Sequence, residues 1–194
     1  MEITTEIVKE LRDRTGVSVM QCKKALEEAG GDLSKAEVIL KKRSGAAAEK
    51  KADRTLGAGA IGTYVHDGAI GAIVLLSCET DFVSKNPEFG ALAREVAMQV
   101  AATNPKYCSA NDIPEDARQT ARGVFEAEVV GKPADMKEKI LEGKLTSYFQ
   151  DQVLLDQAYI KDEGKTIHDL LNEATQKFGE RVEISQFARL SARR

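Results

Sequence analysis

The sequence predicts an α+β protein, in which an N-terminal three-helix module precedes an antiparallel sheet packed with helices. Three observations carry this expectation. The first forty residues hold three short apolar-periodic segments, each with a capping residue before it, two of them closed by glycine. Two strand-like runs flank Asp67-Gly68, a pair suited to the tight turn of a hairpin. Beyond them, Pro87 to Thr103 carries an apolar stripe at helical spacing.

Taken in order, Thr4 or Thr5 caps a first helix with Ile7, Val8 and Leu11 on one face, and Gly16 ends it. Ser18 caps a second, with Cys22, Ala25, Leu26 and Ala29 inward and Gly30-Gly31 as the stop. Asp32 caps a third, with Leu33, Ala36, Ile39 and Leu40 inward. Helices this short are marginal alone, so they must pack on one another. Lys41 to Arg54 is basic and Ala-rich, and reads as a solvated connector of helical character broken at Ser44-Gly45. The domain boundary is placed there, giving a module at 1–54 and an α+β core at 55–194.

In the core, Ala60–His66 and Ala69–Cys78 form the hairpin. The second strand is apolar on both faces and is expected inside a sheet covered on each side. After the turn at Glu79–Asn86, Asn86 is a good N-cap and Pro87 suits the first helical position. Phe89, Leu92, Ala93, Val96, Ala97, Val100 and Ala101 form the stripe, and Asn104-Pro105 ends it. A charged helix follows from Ile113-Pro114 to about Val130, closed by Gly131-Lys132-Pro133. A further helix runs to Leu141, and Glu142-Gly143-Lys144 is expected to break it before Leu145–Asp151. Thr166 caps a helix with Ile167, Leu170, Leu171, Ala174 and Phe178 inward, closed by Gly179. A last strand from Val182 and Ile184 ends near Leu190, with a slip of apolar parity between Ile184 and Phe187 that a bulge would explain.

Composition narrows the function classes. Hydrophobic residues are 42% and charged residues 30%, which suits a globular core and argues against disorder. A net charge of −3 opposes a dedicated nucleic-acid binder, whose affinity rests on neutralising phosphates. Aromatics at 5% and the absence of Trp argue against base-stacking platforms. No apolar stretch is long enough to span a membrane and no signal-like start is present, so an intracellular protein without membrane contact is expected. Cys22, Cys78 and Cys108 are odd in number and widely spaced, which indicates neither a zinc site nor a disulfide framework. Cys22 falls on an apolar helix face as a small core residue. Cys78 as a nucleophile would need one of two histidines, His66 or His168, as base. No phosphate loop, dinucleotide fingerprint or nucleophile elbow occurs, so no enzyme and no cofactor are expected.

The turn carries the sharpest signal. On patterning alone, Phe82 between a strand and a helix is a core residue. Cys78-Glu79-Thr80-Asp81-Phe82-Val83, however, resembles the signature loop of elongation factor Ts, the guanine-nucleotide exchange factor of elongation factor Tu. Leu11-Arg12-Asp13-Arg14-Thr15-Gly16-Val17-Ser18-Val19-Met20-Gln21-Cys22-Lys23-Lys24-Ala25-Leu26 is similar, residue for residue, to that family's N-terminal signature, within a fold that resembles ubiquitin-associated domains. Lys139–Leu145 and Gln152–Gln157 resemble further family stretches. The resemblance runs from Ile3 to about Arg189. It departs at the strand end, where members often carry an acidic residue and Asn before the cysteine and this chain has Leu75 and Ser77.

The resemblance implies that Thr80, Asp81, Phe82 and Val83 dislodge Mg²⁺ from elongation factor Tu, so that GDP leaves and GTP enters. It implies that Arg12, Met20 and Lys23 are partner contacts. It adds His66, otherwise a solvated turn residue, through Tyr64-Val65-His66 and Ile70-Gly71. Longer members carry a duplicated core and a coiled-coil insert, whereas this chain has room for one core copy, which implies a homodimer. Location in the bacterial cytoplasm, or in an organelle matrix with any transit peptide removed, follows from the same family. The competing readings are a non-catalytic helical adaptor that binds ubiquitin-like or nascent polypeptides, and a thiol enzyme built on Cys78.

Overall fold

The computed structural model describes residues 3–129 and 133–192. Thr4, Ser18 and Asp32 are N-caps of α1 (Thr5–Thr15), α2 (Val19–Glu28) and α3 (Leu33–Glu49), each side chain accepting a hydrogen bond from the backbone N–H three residues on. Gly16 closes α1 at φ 67°, a left-handed conformation that suits glycine. Val8, Leu11, Val17, Cys22, Ala25, Leu26, Ala36 and Leu40 make one buried cluster. The expected break at Ser44-Gly45 is absent, because α3 runs through it. Ser44 is buried and its hydroxyl donates to the Lys41 carbonyl at 2.7 Å, and one helical glycine costs only ~1 kcal/mol.

The hairpin is β1 (Ala58–His66) and β2 (Ile70–Cys78), turned by Asp67 and Gly68 at φ 49° and 65°. Positive φ at both central positions is the type I′ geometry that matches strand twist. β2 is the middle strand of a three-stranded sheet in the order β1-β2-β5, with β5 at Glu183–Ser191. The expectation that β2 is covered on both faces holds fully on one, where Ala72, Val74, Leu76 and Cys78 are buried, and only toward the strand end on the other, where Ile73 is exposed, Leu75 half-buried and Ser77 buried. Along β5, Ile184 is buried, Ser185 and Gln186 are both exposed and Phe187 is half-buried, so the parity does slip there.

After β2 come α4 (Asp81–Ser84) and α5 (Pro87–Thr103). Asn86 caps α5, its side-chain oxygen accepting from the Glu88 N–H at 2.9 Å. Phe89, Ala93, Val96, Ala97 and Val100 of the stripe are wholly buried. A Cβ on Gly62 of β1 would sit 2.1 Å from the Ala93 carbonyl, so helix and strand meet at a distance only glycine permits.

α6 (Glu115–Glu128) and α7 (Ala134–Gln150) form a helix pair, in which Arg122 meets Glu138 at 2.9 Å and Ile113, Ala121, Phe149 and Val153 cluster. The expected stop at Gly131-Lys132, and Val130 before it, lie outside the described residues. The expected break at Glu142-Gly143-Lys144 is not there. Leu141 and Phe149 are buried and Leu145 partly so, one above another at a spacing of four, and this packing outweighs the propensity of an exposed glycine.

A small hairpin without a clear apolar alternation, β3 (Ala158–Tyr159) with β4 (Asp162–Thr166), is a further element. The wholly buried Gln99 of α5 secures it: its amide nitrogen donates to Gln157 and to the Ala158 carbonyl, both at 3.1 Å, and its oxygen accepts from the Ile160 N–H at 2.9 Å. α8 (Ile167–Phe178) then ends at Gly179, φ 75°.

The chain clusters into two compact units. One comprises the chain up to Ala60, with Leu76–Gly90 and His168–Ser185. The other comprises Ile61–Leu75, Ala91–Ile167 and the chain from Gln186. No helix among the described residues is long and apolar enough to cross a membrane.

Candidate functional site

The stretch after β2 forms a single helical turn. The Ser84 and Lys85 N–H groups donate to the Thr80 and Asp81 carbonyls at 3.3 and 3.1 Å. Adjacent residues on such a turn point about 100° apart. Val83 is therefore buried while Phe82 is 86% exposed, which overturns the patterning reading of Phe82 as core. Asp81 is exposed and pairs with Lys85 at 2.6 Å, four residues on. The hydrogen bond from Lys85, then its charge, holds the Asp81 carboxyl below the usual carboxylate range, so Asp81 is ionised at neutral pH.

What holds this turn was not visible in the sequence. Thr80 occupies the N-cap position of α4 with extended backbone, yet its side chain makes no capping bond. Its hydroxyl donates instead to the Glu180 carboxylate at 2.6 Å. The other Glu180 oxygen accepts from the backbone N–H groups of Glu79 and Thr80, at 3.1 and 3.0 Å. Glu79 answers in the opposite direction. Its carboxylate accepts the Arg181 N–H at 2.6 Å and the Arg54 guanidinium at 3.2 Å. The Arg181 N–H, rather than the Arg54 charge, is the larger cause of a Glu79 carboxyl held below its usual range. The Arg181 guanidinium donates to the Arg54 carbonyl at 2.7 Å. Sequence reasoning missed Glu180, Arg181 and Arg54: the first two were marked only as a charged pair just past the glycine that ends α8, and Arg54 only as the end of the basic connector.

Cys78 is buried, and its thiol donates to the Thr80 carbonyl at 3.2 Å. Burial, then the Glu180 charge, pushes this thiol up, which disfavours the thiolate a nucleophile needs. At the departure from the family pattern, the Ser77 hydroxyl meets that of Ser185 at 2.7 Å.

In the same unit Arg12, Met20 and Lys23 are all exposed; Met20 is 69% exposed and Lys23 lies 4.0 Å from Glu27. His66 belongs to the other unit. It is exposed at the hairpin turn, with its Nδ1 3.2 Å from the Tyr64 hydroxyl and its Nε2 3.4 Å from Asp67. Among the described residues, no cluster of three or more His, Cys, Asp or Glu side chains is arranged to hold a metal.

The family model described as Elongation factor TS matches residues 18–193. The chain is 46% identical over 190 residues to elongation factor Ts of Thermodesulfovibrio yellowstonii, covering 97% of this chain and 96% of that protein. It is 44% identical over 192 residues to the Coprothermobacter proteolyticus protein of the same name, covering 97% and 98%. With that of Thermotoga maritima it shares 45% over 190 residues, covering 97% and 96%. With matches of this extent running through both signatures, the chain belongs to the elongation factor Ts family of translation elongation factors.

Proposed function

We propose that this protein binds elongation factor Tu carrying GDP and accelerates GDP release, acting in the bacterial cytoplasm or an organelle matrix. The observation that carries the reading is Phe82, a large apolar side chain held out in solvent on a turn whose next residue is buried. Leaving such a group exposed forgoes the stabilisation its burial would give, and exposed aromatics held on rigid backbone are typical binding anchors. Thr80, Asp81, Phe82 and Val83 are the exchange loop in this reading. Phe82 enters an apolar gap in the GTPase, Asp81 fixes the loop by hydrogen bonds, and Val83 anchors the turn from inside.

A GTPase holds GDP partly through Mg²⁺, which demands near-ideal octahedral geometry. A wedge that shifts its ligands lowers nucleotide affinity without covalent chemistry, through preferential binding to the nucleotide-free state. Linkage makes the effect reciprocal: the factor by which this protein weakens GDP binding is the factor by which GDP weakens its own.

Residues 1–54 serve as the docking module and 55–194 as the core. Met20, with Arg12 and Lys23 nearby in the sequence, supplies the docking contact, since an exposed thioether adapts to irregular grooves. His66 adds a second contact. We also infer a homodimer and a two-to-two complex. In its support, Ile61 and Val65 of β1, Ile73 of β2 and Leu190 of β5 are exposed apolar residues of one sheet, a surface of the kind that a second copy covers.

The test is to mix the protein with elongation factor Tu loaded with fluorescent GDP, chase with unlabelled nucleotide, and follow release. Acceleration that Phe82→Ala sharply reduces is expected. Release at the spontaneous rate refutes the function, and full activity from a sedimenting monomer refutes the dimer. The adaptor reading predicts instead that Phe82→Ala is neutral.

A further inference from the structure

The three hydrogen bonds on the Glu180 carboxylate set the pose of the 80–83 turn. We propose that Glu180 is the positioning residue of the exchange loop, a role that rests on the exchange function proposed above. A four-residue helical turn does not persist by itself, since nucleation costs more than one turn returns. Its own cap residue supplies no side-chain capping bond, because the Thr80 hydroxyl is committed to Glu180. The backbone entering the turn is therefore fixed from outside. One carboxylate takes two successive amides and a hydroxyl, and charge-assisted bonds of this kind are the stronger class.

Glu180 is itself well placed. It follows the left-handed Gly179, and the end of α8 is tied down by Lys177 on Glu88 at 2.7 Å and by Phe178 edge-on to Phe89, centroids 5.7 Å apart. The Glu79 carboxylate returns the favour on the Arg181 amide, so the two chain segments are stitched side chain to backbone in both directions. Phe82 makes no such contact of its own and is aimed wholly by the backbone beneath it. A partner that must accept an aromatic wedge benefits from a turn already in its bound pose, because ordering it on binding would subtract from affinity or rate.

The experiment measures GDP release from elongation factor Tu against concentration of the full-length protein, separating the limiting rate from the half-saturating concentration. Melting temperature is measured alongside. Glu180→Ala is expected to lower the limiting rate about tenfold or more, the order that loss of charged hydrogen bonds implies. The half-saturating concentration should change little, because Met20 and its neighbours still dock. Glu180→Gln keeps a carbonyl acceptor for the two amides and should recover most of the rate. Thr80→Val, which deletes one hydroxyl and keeps the shape, should give a smaller loss and serves if Glu180→Ala folds poorly.

The decisive arm is the pair Phe82→Ala and Glu180→Ala. If Glu180 acts chiefly through Phe82, removing it from the Phe82→Ala protein costs far less than removing it from the parent. Additive losses, an unchanged limiting rate in Glu180→Ala, or a rate that falls only in step with the folded fraction overturns the proposal while leaving the exchange function standing. A Phe82→Ala protein with wild-type release overturns both.

Discussion

Phe82 and Phe89 stand seven residues apart on either side of one helix start, and their fates are opposite. Phe82 is 86% exposed, and Phe89 is fully buried, with its ring edge-on to Phe178. Residue type and local periodicity treat them alike. The difference lies in what backs each backbone. Around Phe89 the support is apolar and close, so the side chain itself is the structural element. Around Phe82 the support is polar, a carboxylate network gripping Glu79 and Thr80, so the side chain is spared for something else. An exposed aromatic held by a polar scaffold is the arrangement expected of a binding element rather than of a folding one.

Four measurements break or sharpen this contrast, from the largest effect to the smallest. Phe89→Ala should destabilise by about 3–5 kcal/mol, lowering the melting temperature on the order of 10 °C, with exchange by the folded fraction retained. A small shift would mean that the pocket around Phe89 collapses onto the gap. Phe82→Ala should leave the melting temperature unchanged while transition-state stabilisation of GDP release falls by about 2–4 kcal/mol. A large loss of stability with exchange intact would reverse the roles assigned to the two rings.

Met20→Ala should raise the concentration needed for half-maximal exchange by a cost of about 1 kcal/mol, with the limiting rate and melting temperature preserved. A point change is the cleaner test than removing residues 1–50. Those residues also hold the rest of their unit, through Gln21 on Gln176 at 2.8 Å and Lys41 on Asp169 at 3.0 Å.

The smallest effect concerns pH. The Glu79 carboxyl lies below its ordinary 4.5 in the folded protein, so the unfolded chain binds the proton more readily. The stability that Glu79 contributes is therefore complete above 4.5 and is lost as pH falls through the folded value. Melting curves taken downward from neutral pH should fall less steeply for Glu79→Gln than for the parent. The difference should be no more than about 1 kcal/mol, because the Arg54 partner is half exposed. Parallel curves would show that Glu79 contributes no net pairing energy.

Much of the architecture was legible because its causes are local. Thr4, Ser18 and Asp32 cap the helices they precede, Gly16 and Gly179 close theirs, and Asp67-Gly68 turns the hairpin. Each is an interaction between residues a few positions apart, so its record is written in adjacent letters. Where local preference misled, at Ser44-Gly45 and Gly143, burial of neighbouring side chains outweighed a glycine penalty of ~1 kcal/mol. The family, too, was readable from two continuous stretches, Leu11–Leu26 and Cys78–Val83.

The chain's letters by themselves determined the helix caps, the hairpin turn and the wording of the loop. Only the tertiary structure decided which way Phe82 faces and what fixes the turn beneath it. Glu180 lies about a hundred residues beyond Thr80, and their pairing requires the strand that begins at Glu183 to lie beside the one that ends at Cys78. That adjacency is a product of the whole fold, since long-range pairing is selected by the burial of many residues at once and leaves no periodic trace near either partner.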